Sequence, residues 1–196
     1  MTSGEQHPGN GGEARQPRLK RAGLQVYTGD GKGKSTASLG LMLRALGSGL
    51  RVYYLRLMKP HWKTGEALLL PRLHRQLTFR NVDQDWRLRK SGADPAQVAA
   101  MRQALAQEMD SLEEIVKSGG YDLVIADELA FCAGRGLIPW ERIAQLIAAR
   151  PEHVELVFTG RNAPPELIAA ADLVTRMDKV KHPFDQGWDA RRGIEF

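Results

Sequence analysis

The chain has a single cysteine, Cys132, among its 196 residues, so no disulfide can close within it and a reducing cytoplasm is the expected setting. It has no apolar run near the roughly 20 residues that a membrane-spanning helix needs, and its first residues lack the apolar core of a secretory signal. Membrane association is therefore not expected. The histidines are scattered, and His61, His74, His153 and His182 fall at no zinc-ligand spacing. No serine, histidine and acid assemble into a nucleophilic triad, and Cys132 reads as a small buried residue rather than a nucleophile. Internal repeats are absent as well. Charge of one sign is not in large excess. A formal net charge of +5 asks for no more than an anionic small molecule, and nucleic acid is not expected as a partner.

What is there fits one well-cored domain: 42% of the residues are hydrophobic, and the length is short for two domains. Residues 1–22 are an exception, rich in Gly, Pro, Gln and Glu and then basic at Arg15, Arg18, Lys20 and Arg21. With no periodic apolar face they read as a flexible basic arm, leaving 23–196 as a single α/β domain.

The most informative stretch is Thr28-Gly29-Asp30-Gly31-Lys32-Gly33-Lys34-Ser35-Thr36, which follows the apolar run Leu24–Tyr27 and opens an apolar helical segment. Strand, glycine-rich loop, Gly-Lys-Ser and helix together are how proteins hold a nucleoside triphosphate. Glycines let consecutive N–H groups turn toward phosphate oxygens, and the helix start near Lys34 adds the positive end of its dipole. Lys34 supplies a cation for the polyphosphate, and Ser35 a hydroxyl for magnesium. The spacing departs from the common pattern in one place: Thr28 stands where a glycine is usual, five residues before Gly33.

Downstream, strands and helices alternate. Leu39, Met42, Leu43 and Leu46 recur at helical spacing; 51–58 is a strand and 59–66 a loop; 77–80 is a short strand. Asp94-Pro95 reads as N-cap and first residue of a long helix with its stripe at Val98, Met101, Leu105, Leu112, Ile115 and Val116. Further strands are expected at 121–126, 154–158 and 172–177, with helices after Pro139 and Pro164. This alternation predicts a RecA-like P-loop fold, a mostly parallel sheet with helices on both faces. Ligands bind at the carboxyl ends of such strands, where both the glycine loop and Asp127-Glu128 fall.

A carboxylate ending an apolar strand can hold magnesium beside a phosphate loop, and spacing alone does not choose between Asp127 and Glu128. Of the four tryptophans, Trp140 reads as core, whereas Trp62 and Trp86 lie in polar, loop-like stretches and could close over a flat, apolar ligand. A magnesium–triphosphate site on this fold is compatible with kinase, ATPase, ligase or transferase chemistry.

Several segments together resemble the P-loop ATP:corrinoid adenosyltransferases. They are the loop 28–36 with its two lysines and shifted glycines, the acidic strand Asp122–Leu129, Val157-Phe158-Thr159-Gly160-Arg161, and the ending from Val180-Lys181-His182-Pro183-Phe184 to Gly193-Ile194-Glu195-Phe196. Leu57-Met58-Lys59 and Thr64-Gly65-Glu66 resemble that family's second strand and following loop. The resemblance implies that a Co(I) corrinoid attacks C5′ of ATP and expels triphosphate. It implies ATP contacts from Gly29, Asp30, Gly31, Lys32, Gly33, Lys34, Ser35 and Thr36, catalytic roles for Lys34 and Glu128, and Mg²⁺ (or Mn²⁺) on Ser35 and Glu128, with Asp127 beside them. It also implies a corrinoid cleft with Trp86, Trp62 and Arg161, a flavodoxin-like or flavin electron donor, and a homodimer whose amino-terminal arm covers an active site. Two departures stand out. Asp83-Gln84-Asp85-Trp86 replaces the family's common Gly-Phe-Thr-Trp, and Pro60 replaces the glycine expected after Lys59; both bear on the corrinoid rather than on ATP. The rival readings are a phosphotransferase or ATPase, which would cleave at phosphorus to give ADP, and a non-catalytic nucleotide or nucleic-acid binder.

Overall fold

Side-chain alternation along the strands decides the architecture. In the computed structural model, which describes residues 19–59, 64–82 and 94–195, six strands form one sheet: β1 (Leu24–Thr28), β2 (Val52–Arg56), β3 (Leu77–Asn81), β4 (Leu123–Asp127), β5 (Glu155–Thr159) and β6 (Leu173–Arg176). Their order is β3-β2-β4-β5-β1-β6 and every pairing is parallel. β2 and β4 are buried at every position, as strands covered on both faces must be. Their residues divide by parity: Tyr53, Leu55, Val124 and Ala126 join one apolar cluster, Val52, Tyr54, Leu123 and Ile125 the other.

Helix α1 (Lys34–Gly47) covers the second cluster through Met42, Ala45 and Leu46. The first lies under α3 (Pro95–Lys117) and α5 (Trp140–Ala148). Asp94 caps α3 as its sequence requires, accepting the Ala96 N–H at 3.0 Å, and Met101, Leu105, Met109, Leu112 and Val116 form the buried stripe. Trp140 is half-buried against the core.

The expected elements are present, with four differences. The loop expected over 59–66 gives way at Gly65 to a short helix, α2 (Gly65–Leu69), and β2 is shorter than its apolar run because Met58 turns into the left-handed region at φ 59. A second short helix, α4 (Leu129–Gly134), starts where the acidic strand ends. Leu43 belongs to the solvent side of α1, 54% exposed, so only part of that helix's apolar pattern faces the core. A last helix, α6 (Pro165–Ala170), leads into β6, whose four residues are all exposed. Among the described residues no helix is long and apolar enough to cross a membrane.

Candidate active site

The sheet order brings the site together. β5 lies between β1, which carries the glycine loop, and β4, which carries the acidic pair, so the carboxyl end of β5 separates the two. Thr159 occupies that end. It is fully buried, and its Oγ1 donates to Asp127 Oδ1 at 2.5 Å while accepting the Glu128 N–H at 3.0 Å. From the opposite side Ser35, in the first turn of α1, donates Oγ–H to the same Asp127 oxygen at 2.8 Å.

The loop itself needs glycine for two different reasons. Gly29 and Gly33 have φ of 96° and 121°, where a side chain is strained. Gly31 instead lies against the chain after β6: its N–H donates to Met177 O at 2.7 Å, and a Cβ there would stand 2.7 Å from Asp178 O. The loop curls over Lys34, whose Nζ donates to Gly29 O at 2.7 Å and Gly31 O at 2.6 Å. Burial, with Arg161 next in weight, holds the Lys34 ammonium below its ordinary pKa. Lys32 points outward and donates to Ile194 O at 3.0 Å, linking the loop to the carboxyl-terminal segment.

Asp127 is 1% exposed, yet remains a carboxylate. Burial works to raise its pKa, but the Lys59 ammonium and the Thr159 and Ser35 hydroxyls pull it below the usual value. Lys59 Nζ lies 2.7 Å from Asp127 Oδ2 and 3.4 Å from Glu128 Oε1. Glu128 is shifted the other way, raised chiefly by burial and in part by Asp127. Its backbone is left-handed, φ 69° and ψ 9°, a conformation held by the bond from its N–H to Thr159. Cys132, one turn into α4, is fully buried, and burial pushes its thiol up to about 12, so it is no nucleophile.

Of these groups, Lys32, Lys34, Ser35, Lys59 and Glu128 border one cavity of about 880 Å³, within the range of small-molecule sites, whereas Asp127 and Thr159 are absent from its lining. Gly31 to Thr36, Lys59, Glu128 and Arg161 line it, together with Ile194 and Glu195 of the carboxyl-terminal segment. Of the residues expected to contact ATP, Gly29 and Asp30 are absent from this lining; Gly29 contributes through its carbonyl to Lys34. Arg161, expected on the corrinoid side, shares the cavity with the phosphate loop. Trp62 and Trp86, the altered stretch 83–90, and residues 1–18 of the basic arm lie outside the described residues. Two site residues escaped the sequence reading as ligands or anchors, Lys59 and Thr159; only their place in family-like segments marked them.

The donor set suits a hard divalent cation. One hydroxyl and two carboxylates converge, while among the described residues no group of three or more His, Cys, Asp or Glu could form a cage. Magnesium is commonly held this way, by one or two carboxylates plus the phosphates of its substrate.

Comparison with known proteins identifies the family. Residues 20–196 match the family described as ATP:corrinoid adenosyltransferase BtuR/CobO/CobP. The corrinoid adenosyltransferase of Pseudomonas aeruginosa is 34% identical over 183 residues, covering 92% of this chain and 87% of that protein. Corrinoid adenosyltransferase CobA of Salmonella typhimurium is 30% identical over 181 residues, covering 92% and 89%. Among solved structures, the flagellar accessory protein FlaH of Methanocaldococcus jannaschii superposes with a TM-score of 0.53 at 14% identity, covering 81% of this chain and 72% of that one, a likeness of fold alone. The chain belongs to the ATP:corrinoid adenosyltransferase family.

Proposed function

We propose that the cavity at the carboxyl end of the sheet is where ATP gives its 5′-deoxyadenosyl group to the cobalt of a reduced corrinoid, the activity of this family. The observation that carries the reading is the bond between Ser35 and Asp127, which joins the phosphate loop to the acidic strand beside the one lysine buried under the loop. The Co(I) centre supplies the electron pair that forms the Co–C bond, the C5′–O bond breaks, and triphosphate leaves. The chain has no proton to move; its work is to place ATP and accept leaving-group charge.

In this reading two N–H bonds of Lys34 fix the ammonium on loop carbonyls, and the third meets a phosphate oxygen. Loop N–H groups from Lys32 to Thr36, with the Lys32 and Arg161 side chains at the rim, surround the remaining charge. Mg²⁺ (or Mn²⁺) would be held by the oxygens of Ser35, Glu128 and Asp127, and when bound would neutralise part of the departing triphosphate. Trp62, Trp86 and Arg161 contact the corrinoid. A flavodoxin-like or flavin donor reduces the cobalt, and the enzyme acts as a cytoplasmic homodimer, with residues 1–22 as an arm over a site and 23–196 as the catalytic domain.

Product analysis tests the reading. Purified protein, Mg-ATP and a chemically reduced Co(I) corrinoid are mixed without oxygen. Inorganic triphosphate and a light-sensitive Co–C product are expected. ADP and phosphate with an unchanged corrinoid would overturn the reading in favour of an ATPase or kinase.

A further inference from the structure

The oxygen donors assigned to the metal already share a cation. Lys59 Nζ donates to Ser35 Oγ at 2.7 Å and to Asp127 Oδ2 at 2.7 Å, and lies 3.4 Å from Glu128 Oε1. Because the Ser35 hydroxyl proton is spent on Asp127 Oδ1, the N–H of Lys59 is accepted by a lone pair of the same Ser35 oxygen that a metal would need. The ammonium thus rests on every donor of the set.

The backbone delivers it there by construction. β2 pairs with β4 so that Arg56 stands opposite Asp127, and the Leu57 N–H donates to Asp127 O at 3.1 Å. Met58 then turns left-handed, φ 59°, at the end of β2. Lys59 follows immediately, with its side chain over the end of β4 and only 23% exposed. The other two lysines of the cavity do not compete for these acceptors: Lys34 is fixed on the loop carbonyls, and Lys32 donates to Ile194 O at 3.0 Å.

We infer that Lys59 is a resident cation of the metal subsite. In the nucleotide-free enzyme it keeps free divalent metal out, and it yields the Ser35, Asp127 and Glu128 oxygens when metal arrives already chelated to the polyphosphate of ATP. Two cations cannot share donors at these distances, so metal entry requires the ammonium to leave. The triphosphate, entering the cavity that Lys59 also lines, offers it new acceptors. Metal and nucleotide are thereby coupled, and each binds poorly without the other. The inference rests on the reading of Ser35, Asp127 and Glu128 as metal ligands.

The test is Mn²⁺ binding followed by electron paramagnetic resonance, which needs no turnover. Wild-type protein is titrated with Mn²⁺ alone and with Mn²⁺ plus ATP; Lys59→Met, Lys59→Gln and Lys59→Met/Asp127→Asn are titrated with Mn²⁺ alone. Little binding is expected to wild type without ATP, with at least a tenfold gain in affinity on adding ATP. Either single Lys59 variant should bind Mn²⁺ alone at least tenfold more tightly than wild type, and Asp127→Asn should cancel the gain. Wild type binding Mn²⁺ equally well with and without ATP would overturn the proposal, with no variant needed. So would Lys59 variants that fold, judged by circular dichroism, and gain nothing. A gain that survives Asp127→Asn would overturn the ligand reading beneath it instead.

Discussion

Replacing Thr159 by valine removes one hydroxyl and leaves shape almost unchanged, so it isolates what that hydroxyl holds. Two bonds are lost: the donation to the Asp127 carboxylate at 2.5 Å and the acceptance of the Glu128 N–H at 3.0 Å. A bond to a charged group contributes about 1.5–3 kcal/mol, and an orphaned N–H costs about 1 kcal/mol at a half-buried position. The added methyl, at a site with no exposure, returns about 1 kcal/mol. The net loss is about 1.5–3 kcal/mol, which for a domain of this size lowers the melting temperature by roughly 3–12 °C. Asp127 keeps Ser35 and Lys59 but loses the anchor on the β5 side, so Mg-ATP affinity should fall about tenfold, as for other outer partners of metal ligands. Thermal unfolding without nucleotide and titration with Mg-ATP measure the two effects. Thr159→Ser, which keeps the hydroxyl, should restore affinity. A Thr159→Val protein that melts within about 1 °C of wild type and binds Mg-ATP normally would refute the reasoning.

Three further outcomes are expected. Lys34→Ala should lower adenosylation by at least about 100-fold while the fold persists, since it withdraws the cation buried under the phosphate loop; near-normal turnover would remove the loop from the reaction. Glu128→Gln keeps an oxygen donor but not its charge, so the reaction should survive with a raised requirement for divalent metal, read from a Mg²⁺ titration of the rate. A loss of all turnover at saturating Mg²⁺ would make Glu128 a proton acceptor and favour phosphorus chemistry. Cys132, its thiol raised to about 12, should resist alkylation in the native state. At pH 8 about one molecule in 10⁴ would be thiolate, against about a quarter for an unperturbed thiol. Rapid labelling before denaturation would show that α4 opens.

The parts of this molecule legible in sequence were those encoded locally. The glycine loop, the apolar strand ending in Asp127-Glu128 and the capped stripe of α3 each carry their signal within one segment, and all appear where expected. Lys59 and Thr159 carry theirs in the sheet order. Thr159 is 31 residues from Glu128 and bonds to it only because β5 lies beside β4. Lys59 is a loop lysine until the left-handed Met58 and the pairing of β2 with β4 aim it at Asp127. The short helices were missed for a different reason. α2 and α4 span five and six residues, too few turns for a periodic face to stand out. Leu43 shows the converse, an apolar residue at helical spacing that faces solvent because the covered stripe of α1 is narrower than its apolar pattern.

Glu128 is where the chemistries open to this fold part. Its left-handed backbone is an arrangement a glutamate adopts only when the surroundings impose it, and the bond to Thr159 is what imposes it. Such a carboxylate, beside a buried aspartate and facing a phosphate loop, would suit the orienting of water in an ATPase. Here its nearest charged neighbour is Lys59, at 3.4 Å, which ties it to the cation site rather than to a nucleophile. Adenosyl transfer asks nothing more of it, because the cobalt brings its own electron pair and no proton must be removed. A site rich in cations and N–H donors, whose acidic groups are matched to a cation, is arranged to receive a leaving triphosphate. The charge layout of the cavity fits a leaving polyphosphate, and the family to which the chain belongs makes the broken bond C5′–O rather than P–O.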